Sequence, residues 1–317
     1  MPYDLESKLC VGIASSALFD LRESSDVFEK QGEEAYRAFQ EERLDVPLAP
    51  GRAYPFVKRL LGLNRQGLSK EPVVEVFVMS KNSPESGLRV MRSIKTLGLP
   101  ISRAIFSSGN SPFRYMDALS MSLFLSADEK DVKSAIRRGL PAGTVLDSTM
   151  QDDGNDDLRI AFDFDGVLSD DSAEQYYQQT NLFDYLKHED ELKENAIGSG
   201  PLSHFLADIN RIQKLERTKR KQSDAYTPKL EVSLITARNA PAHERAVNSL
   251  RHWGVSVDNA FFLGGVDKGL IVSELQPHIY FDDQRTHLDS TSRYVPSVHI
   301  PFGAINDNGE IDQAASR

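Results

Sequence analysis

The chain has 317 residues, 40 % hydrophobic and 26 % charged, which fits a folded protein of about two domains and excludes a chain too polar to build a core. A formal net charge of -10 argues against nucleic acid or an anionic membrane as partner, since both bind through surplus Lys and Arg, and an anionic ligand would need a locally positive pocket. With a single cysteine, Cys10, neither an intrachain disulfide framework nor a cysteine-built zinc site is available.

From the N-terminus, "MPYDLESK" lacks the basic and apolar succession of a secretory leader, and no run is long enough to span a bilayer, so a cytoplasmic location is expected. Cys10, in the apolar "LCVGIA", reads as a small core residue. Residues 1–146 read as strand, helical segment, longer amphipathic helix, strand, helix, short strand, helix and strand, the order of a mostly parallel sheet with helices on both faces. Residues 147–157, "DSTMQDDGNDD", are polar and acidic and read as an exposed linker.

The same succession returns in residues 158–303, with strands "LRIAFDF", "LEVSLIT" and "HIYFDD" and the helix "APAHERAVNSLRHWG" closed by Gly254. Residues 169–198 are too long for a simple loop and contain the helix-like "SAEQYYQQTNLFDYLKHE", with Tyr176, Tyr177, Phe183 and Tyr185. The basic run "KLERTKRK", residues 214–221, suits the carboxyl end of a helix, where cations meet the dipole favourably. Residues 304–317 read as a loose tail.

The two stretches are copies of one plan. Residues 75–126 match residues 231–282 at a constant offset of 156, which lays "EVFVMS" over "EVSLIT" and Arg89, Ser93, Gly98, Ala104, Phe106 and Gly109 over Arg245, Ser249, Gly254, Ala260, Phe262 and Gly265. Upstream, at a changed offset, "VGIASSALFDL" parallels "LRIAFDFDGVL" and sets Ser16 against Asp163.

Asp163 and Asp165 close an apolar run. Residues i and i+2 of an extended chain share a side, so both carboxylates can address one site, and Gly166 lets the backbone turn closely past it. By itself such a pair is also compatible with an acidic turn or a helix N-cap. Ligands of open parallel sheets bind at the carboxyl ends of strands, and the following strand ends deliver Thr236 with the N–H groups after it, then Lys268, then Asp282 and Asp283. Four carboxylates gathered at one site would repel one another, which implies a hard cation with oxygen ligands, Mg²⁺ by preference.

DFDGV, a strand-terminal Thr, a Lys and a strand ending in Asp-Asp resemble the four motifs of the haloacid dehalogenase superfamily of phosphotransferases. The phrases "AYPFVKRLL", "VMSKNSPESGLRV", "FSSGNSPFRYMDAL", "FDFDGVLSDDSAEQYY" and "GPLSHFLADINRIQKLE" resemble the cytosolic 5′-nucleotidase type I family over nearly the whole chain. The resemblance implies an α/β fold of two haloacid-dehalogenase-like, Rossmann-like parallel-sheet domains from an internal repeat. A non-catalytic domain (1–146) and a catalytic one (158–303) would be joined by the linker 147–157, with a small helical cap inserted at 169–198.

It further implies Asp163 as nucleophile, forming an aspartyl-phosphate, and Asp165 as the acid and base of the two half-reactions. Thr236, Ala237 and Arg238 would bind phosphoryl oxygens beside Gly166, and Lys268 would neutralise their charge. The Mg²⁺ ligands would be the Asp163 side chain, the Asp165 carbonyl and Asp282, with Asp283 as a further ligand or behind one. A surface salt bridge is the other reading of Arg238. The implied substrates are nucleoside 5′-monophosphates, AMP favoured, then IMP and deoxynucleotides; ADP or another nucleotide would activate, and a homo-oligomer is compatible.

At the repeat offsets Asp163, Asp165, Thr236, Lys268 and Asp282 correspond to Ser16, Leu18, Ser80, Pro112 and Ser126, so the first half is expected to be inert. Its strand-end segments nevertheless hold Asn110 and Arg114, which read either as turn residues or as nucleotide contacts. Two other functions fit: a phosphatase for a different small phosphomonoester, and a nucleotide sensor that binds without turnover.

Overall fold

The computed structural model describes residues 3–148, 150 and 153–306; linker positions 149, 151 and 152 and the expected tail from 307 lie outside the described residues. In the first half the strands are β1 (Leu9–Ile13), β2 (Val74–Ser80), β3 (Arg103–Phe106), β4 (Met121–Ser126) and β5 (Ala142–Val145). In the second they are β6 (Leu158–Phe162), β7 (Leu230–Thr236), β8 (Asn259–Phe262), β9 (Ile279–Asp282) and β10 (Ser297–His299). Those at the centre of each half are apolar on both sides because helices cover both faces of the sheet, as β1 and β2, buried along their length, show.

All ten form one sheet in the order β3-β2-β1-β4-β5-β10-β9-β6-β7-β8. Ladders within each half are parallel. The halves meet where β5 runs antiparallel to β10, with Val145 opposite Val298 and Thr144 opposite His299. Outward from this seam both halves present the same strand order. The α/β class and the mostly parallel sheet are as expected; the fifth strand of each half, and the seam those strands make, are not in the sequence reading. Gly143 is required there, because a Cβ on it would lie 2.3 Å from Val298 Cγ1 and 2.9 Å from Ile300 Cδ1.

The helices are α1 (Ser15–Leu18), α2 (Arg22–Glu42), α3 (Tyr54–Gly62), α4 (Pro84–Thr96), α5 (Glu129–Ile136), α6 (Ser172–Gln179), α7 (Leu182–Glu191), α8 (Ser203–Gln222), α9 (His243–His252), α10 (Lys268–Leu275) and α11 (Arg285–Thr291). Local chemistry sets several starts. Ser83 Oγ accepts from Ser86 N with Pro84 in the first turn of α4, and Asn181 Oδ1 accepts from Phe183 N and Asp184 N at α7. α8 closes on Lys219, Arg220 and Lys221, as the dipole favours. α2 breaks at Gly32, whose φ of 84° leaves the helical region, in the place where α6 and α7 separate in the second half.

One hydrophobic cluster runs through both halves, joining Ile13, Phe56 and Leu125 to Phe162, Phe205 and Phe281. α8 lies against β1 and β4 of the first half, and α3 against β6 of the second, so the helices stitch across the seam. Phe162 stacks on Phe281 at 5.1 Å, with Phe205 edge-on to both. Each such ring contributes about 1.5–3 kcal/mol by leaving water. Elsewhere the halves keep separate clusters, around Phe77 and Phe124 and around Ile235 and Tyr280. Cys10 belongs to the former, where burial pushes its thiol up to about 12 and leaves it a packing residue.

Residues 153–156 are exposed yet the stretch is pinned: the buried Arg59 guanidinium donates to Asn155 O (2.6 Å) and Asp157 O (2.8 Å) and pairs with Asp153. Residues 304 and 306 are tied to the second half: Ala304 N donates to Asp171 Oδ2 (2.8 Å), and Asn306 Nδ2 donates to Asp283 O (3.1 Å). Among the described residues no helix is long and apolar enough to cross a membrane.

Candidate active site

β6 and β9 lie side by side, so their ends bring Asp163 and Asp282 together. Asp163 N donates to Phe281 O at 2.8 Å, and Phe164 N donates to Asp163 Oδ1 at 2.7 Å, which fixes the carboxylate at the strand tip. Lys268, first residue of α10, reaches between the two aspartates, with Nζ 2.7 Å from Asp163 Oδ2 and 2.8 Å from Asp282 Oδ2. Asp282 is the more fully bonded, accepting also from the Tyr280 hydroxyl and from Gln284 N, with His287 Nδ1 at 3.2 Å.

All three side chains are buried, and the field sorts them. Burial, only partly offset by Lys268, pushes the Asp163 carboxyl up to about 7. For Asp282 burial acts in the same direction, but Lys268 and His287 outweigh it and hold the group well below the usual carboxylate range. Burial would discharge Lys268, and the two aspartates keep it charged. Asp283, next along, is driven upward by burial and by Asp282, and its Oδ1 is buried with no hydrogen-bond partner.

Asp165 is placed differently. Arg238 grips its carboxylate through two parallel bonds, Nε to Oδ2 at 2.8 Å and Nη2 to Oδ1 at 2.7 Å. The same guanidinium pairs with Glu189 of α7, which also accepts from Arg245 Nη1 at 2.6 Å, and Glu189 is wholly buried. Arg238 is 3 % exposed, which excludes a surface salt bridge and makes it a link between the helical segment and Asp165. Glu189, Arg245, Tyr280 and His287 were not singled out in the sequence; in Glu189 a carboxylate at a helical position facing the sheet was the available signal.

Thr236 is buried at the end of β7, and its Oγ1 accepts from Arg238 N at 3.2 Å. The next helix begins only at His243, so the N–H groups of Ala237 and Arg238 belong to a loop rather than a helix start. Gly166, with φ of 71°, passes so close to Asp283 that a Cβ would lie 2.6 Å from its Oδ2. Of the aromatics in α6 and α7, Tyr176 stacks on His188 at 3.9 Å and Tyr177 meets Tyr185 edge-on at 5.4 Å, while Phe183 is 76 % exposed.

Asp163, Asp282 and His287 each offer a donor atom within 4.8 Å of the others. Lys268 faces Asp163 and Asp282 and feels Asp283, so carboxylate is in excess, and one carboxylate oxygen is buried without a partner. That oxygen-rich, negatively charged donor set fits a hard divalent cation.

In the first half the ladders set Ala14, not Ser16, at the place of Asp163, since Ala14 N donates to Leu125 O as Asp163 N does to Phe281 O, and Ser16 stands at the place of Asp165; beside them Ser15 and Ser80 share a hydrogen bond of 2.9 Å. Asn110 and Arg114 stand on an exposed turn, Asn110 Nδ2 donating to Ser107 O (3.0 Å) and Arg114 Nη2 to the Tyr115 hydroxyl (2.7 Å). They are distant in the sheet order from the aspartates of β6 and β9.

A family model described as 5′-nucleotidase matches residues 1–307. A human (Homo sapiens) protein named cytosolic 5′-nucleotidase 1B is 30 % identical over 294 residues, an alignment covering 91 % of this chain and 48 % of the relative. The chain thus spans about half the length of that curated relative. No solved structure gives a significant match.

Proposed function

Because the chain belongs to the 5′-nucleotidase family, we propose that its second half hydrolyses nucleoside 5′-monophosphates to nucleoside and phosphate. The observation that carries this is the buried Asp163 carboxylate at a strand tip, held by Lys268 at 2.7 Å beside Asp282. The finer reading is two haloacid-dehalogenase-like domains, 1–146 and 158–303, with residues 169–198 as a cap.

Asp163 attacks phosphorus in line and the ribose oxygen departs with a proton from Asp165, leaving an aspartyl-phosphate. Water then attacks phosphorus, gives its proton to Asp165, and phosphate leaves with the Asp163 carboxylate restored. Arg238 holds Asp165 by both carboxylate oxygens. To protonate the leaving oxygen, Asp165 must turn from that clamp toward the substrate. Lys268 and the N–H groups after Thr236 take the phosphoryl oxygens. Mg²⁺, held by Asp163, Asp282, the Asp165 carbonyl and Asp283, would balance the carboxylate charge and that of the phosphoryl group.

Tyr177 and Tyr185 border this site from the cap, and Phe183 is free to meet a base. AMP as the favoured substrate, with IMP and deoxynucleotides, and ADP as an activator touching Asn110 and Arg114, belong to the same reading. So do a cytosolic location and a homo-oligomer. Phosphate release measured across a panel of phosphomonoesters, with and without ADP and with EDTA followed by Mg²⁺, tests it. The expected result is Mg²⁺-dependent release, fastest from AMP. Faster release from a sugar phosphate would assign another substrate, and AMP binding without release would make the protein a sensor.

A further inference from the structure

A cleft of about 1300 Å³ opens in the first half, beneath α2 and over the carboxyl ends of β1, β2 and β4. It occupies the place that the reactive cluster has in the second half, and it is large enough for a small ligand. Its floor is hydroxylic. Ser16 lies against the place of Asp165, Ser80 against Thr236 and Ser126 against Asp282, all three lining the cleft. Hydroxyls donate and accept without charge, so the floor suits sugar hydroxyls.

The walls do not suit phosphate. Each Lys and Arg that lines the cleft is paired: Lys81 with Asp131 at 2.5 Å, Arg52 with Asp147 at 2.5 Å, Arg37 with Glu33 at 2.9 Å, and Arg22 with Asp20. Glu29 and Glu85 add further negative charge. A phosphate dianion would find repulsion where the second half offers Lys268.

What the first half keeps is aromatic. Phe28 and Tyr36 meet edge-on at 5.7 Å and line the cleft, as Tyr177 and Tyr185 meet at 5.4 Å beside the reactive cluster. The Tyr36 hydroxyl donates to Asn82 Oδ1 at 3.3 Å, and Asn82 stands where the repeat has Arg238. We propose that this cleft is a second binding site, for a nucleoside without its phosphate: the aromatic pair is retained, a hydroxylic floor replaces the carboxylates, and the phosphate-binding charges are gone. The choice of ligand class rests on the nucleotidase reading, whereas the exclusion of phosphate rests on the cleft alone.

The full chain is titrated calorimetrically with adenosine, and its Asp163→Asn variant with AMP, which that variant leaves intact. Adenosine should occupy two sites per chain and AMP one. Phe28 is 51 % exposed, so Phe28→Ala can be made without disturbing the core. It should weaken one adenosine site about tenfold or more, leaving kcat and KM for AMP unchanged. Ser16→Leu, which fills the floor, should do the same, and Tyr177→Ala should weaken the other site. A single adenosine site in the wild-type chain, adenosine binding indifferent to both first-half changes, or AMP binding weakened by Phe28→Ala would each overturn the proposal. Absence of phosphate release from any nucleotide would instead overturn the nucleotidase reading and leave these titrations readable.

Discussion

In the second half Arg245 reaches from α9 to Asn195 O at 3.0 Å and to Glu189, while Ser249 Oγ accepts from Ile197 N at 3.0 Å. In the first half Arg89 reaches from α4 to Val46 O at 3.0 Å and to Gln40 Oε1 at 3.1 Å, while Ser93 Oγ accepts from Leu48 N at 2.9 Å. The anchoring of helical segment to sheet is the same in both; the charge is not. Glu189 passes its second oxygen to Arg238 and thence to Asp165, whereas Gln40 is a neutral amide, Asn82 replaces the arginine and Ser16 the aspartate. An amide therefore suffices to hold such a segment in place. A carboxylate stands where a second buried guanidinium, that of Arg238, must be held as well.

The largest expected difference between the halves is catalytic. Asp163→Asn keeps the volume of the side chain but removes the nucleophile that the proposed mechanism requires, and phosphate release should drop to the background level. Ser16→Ala, at the place in the first half that matches Asp165, should leave kcat unchanged. Comparable losses from both changes would mean that the halves share one chemical site.

Copying the first half's solution into the second is the next test. Glu189→Gln leaves Arg238 and Arg245 buried with an amide between them, at a cost of about 3–5 kcal/mol in stability. With Arg238 no longer aimed, kcat should fall by up to roughly 10²-fold while KM changes little. Gln40→Glu, opposite Arg89, should leave kcat alone. If Glu189→Gln lowers the melting temperature without altering kcat, Glu189 is an anchor and nothing more.

Gly143→Ala probes the seam that makes the halves one sheet. The new methyl meets Val298 and Ile300 inside contact distance, and overpacking of this kind costs about 1–3 kcal/mol. Denaturant unfolding should show a lowered midpoint; an unchanged one would mean the seam yields freely.

The smallest effect separates the halves by pH. All seven histidines lie in the second half. Burial, helped by Arg159 and Arg59 around His278 and by Arg285 near His299, lowers both to about 4. Unfolded, each titrates near 6.5, so between about 6.5 and 4 the unfolded chain binds more protons and stability falls as pH falls. Below about 4 the loss levels off. His278→Gln should flatten the dependence of Tm on pH in that window, and an unchanged slope would assign the acid sensitivity elsewhere.

How much of the site was legible depended on how far apart its parts lie along the chain. Asp163, Asp165, Thr236, Lys268 and Asp282 each terminate or follow a strand, and two-residue alternation with a following glycine or helix start is a local pattern. Arg238 was ambiguous because nothing local distinguishes a buried arginine from an exposed one. Its partners are 73 and 49 residues away, and Glu189 meets Arg245 across 56. His287 joins Asp282 only because α11 begins a turn after β9. The fifth strand of each half escaped for a related reason: β5 and β10 are four and three residues long, too short for periodicity to mark.

The sequence by itself determined the order of strands and helices, the internal repeat, and which copy retains carboxylates at its strand ends, since these follow from hydrophobic period and from residue identity at a fixed offset. Tertiary structure decided how the copies join, because an antiparallel ladder of two short strands draws its energy from Val145 against Val298 and from helices crossing the seam, not from either strand's own sequence. It also decided that Asp165 is clamped while Asp163 is buried against Lys268. Two carboxylates on one side of a strand are alike in sequence, and only the cations brought to them by distant helices and loops make them different.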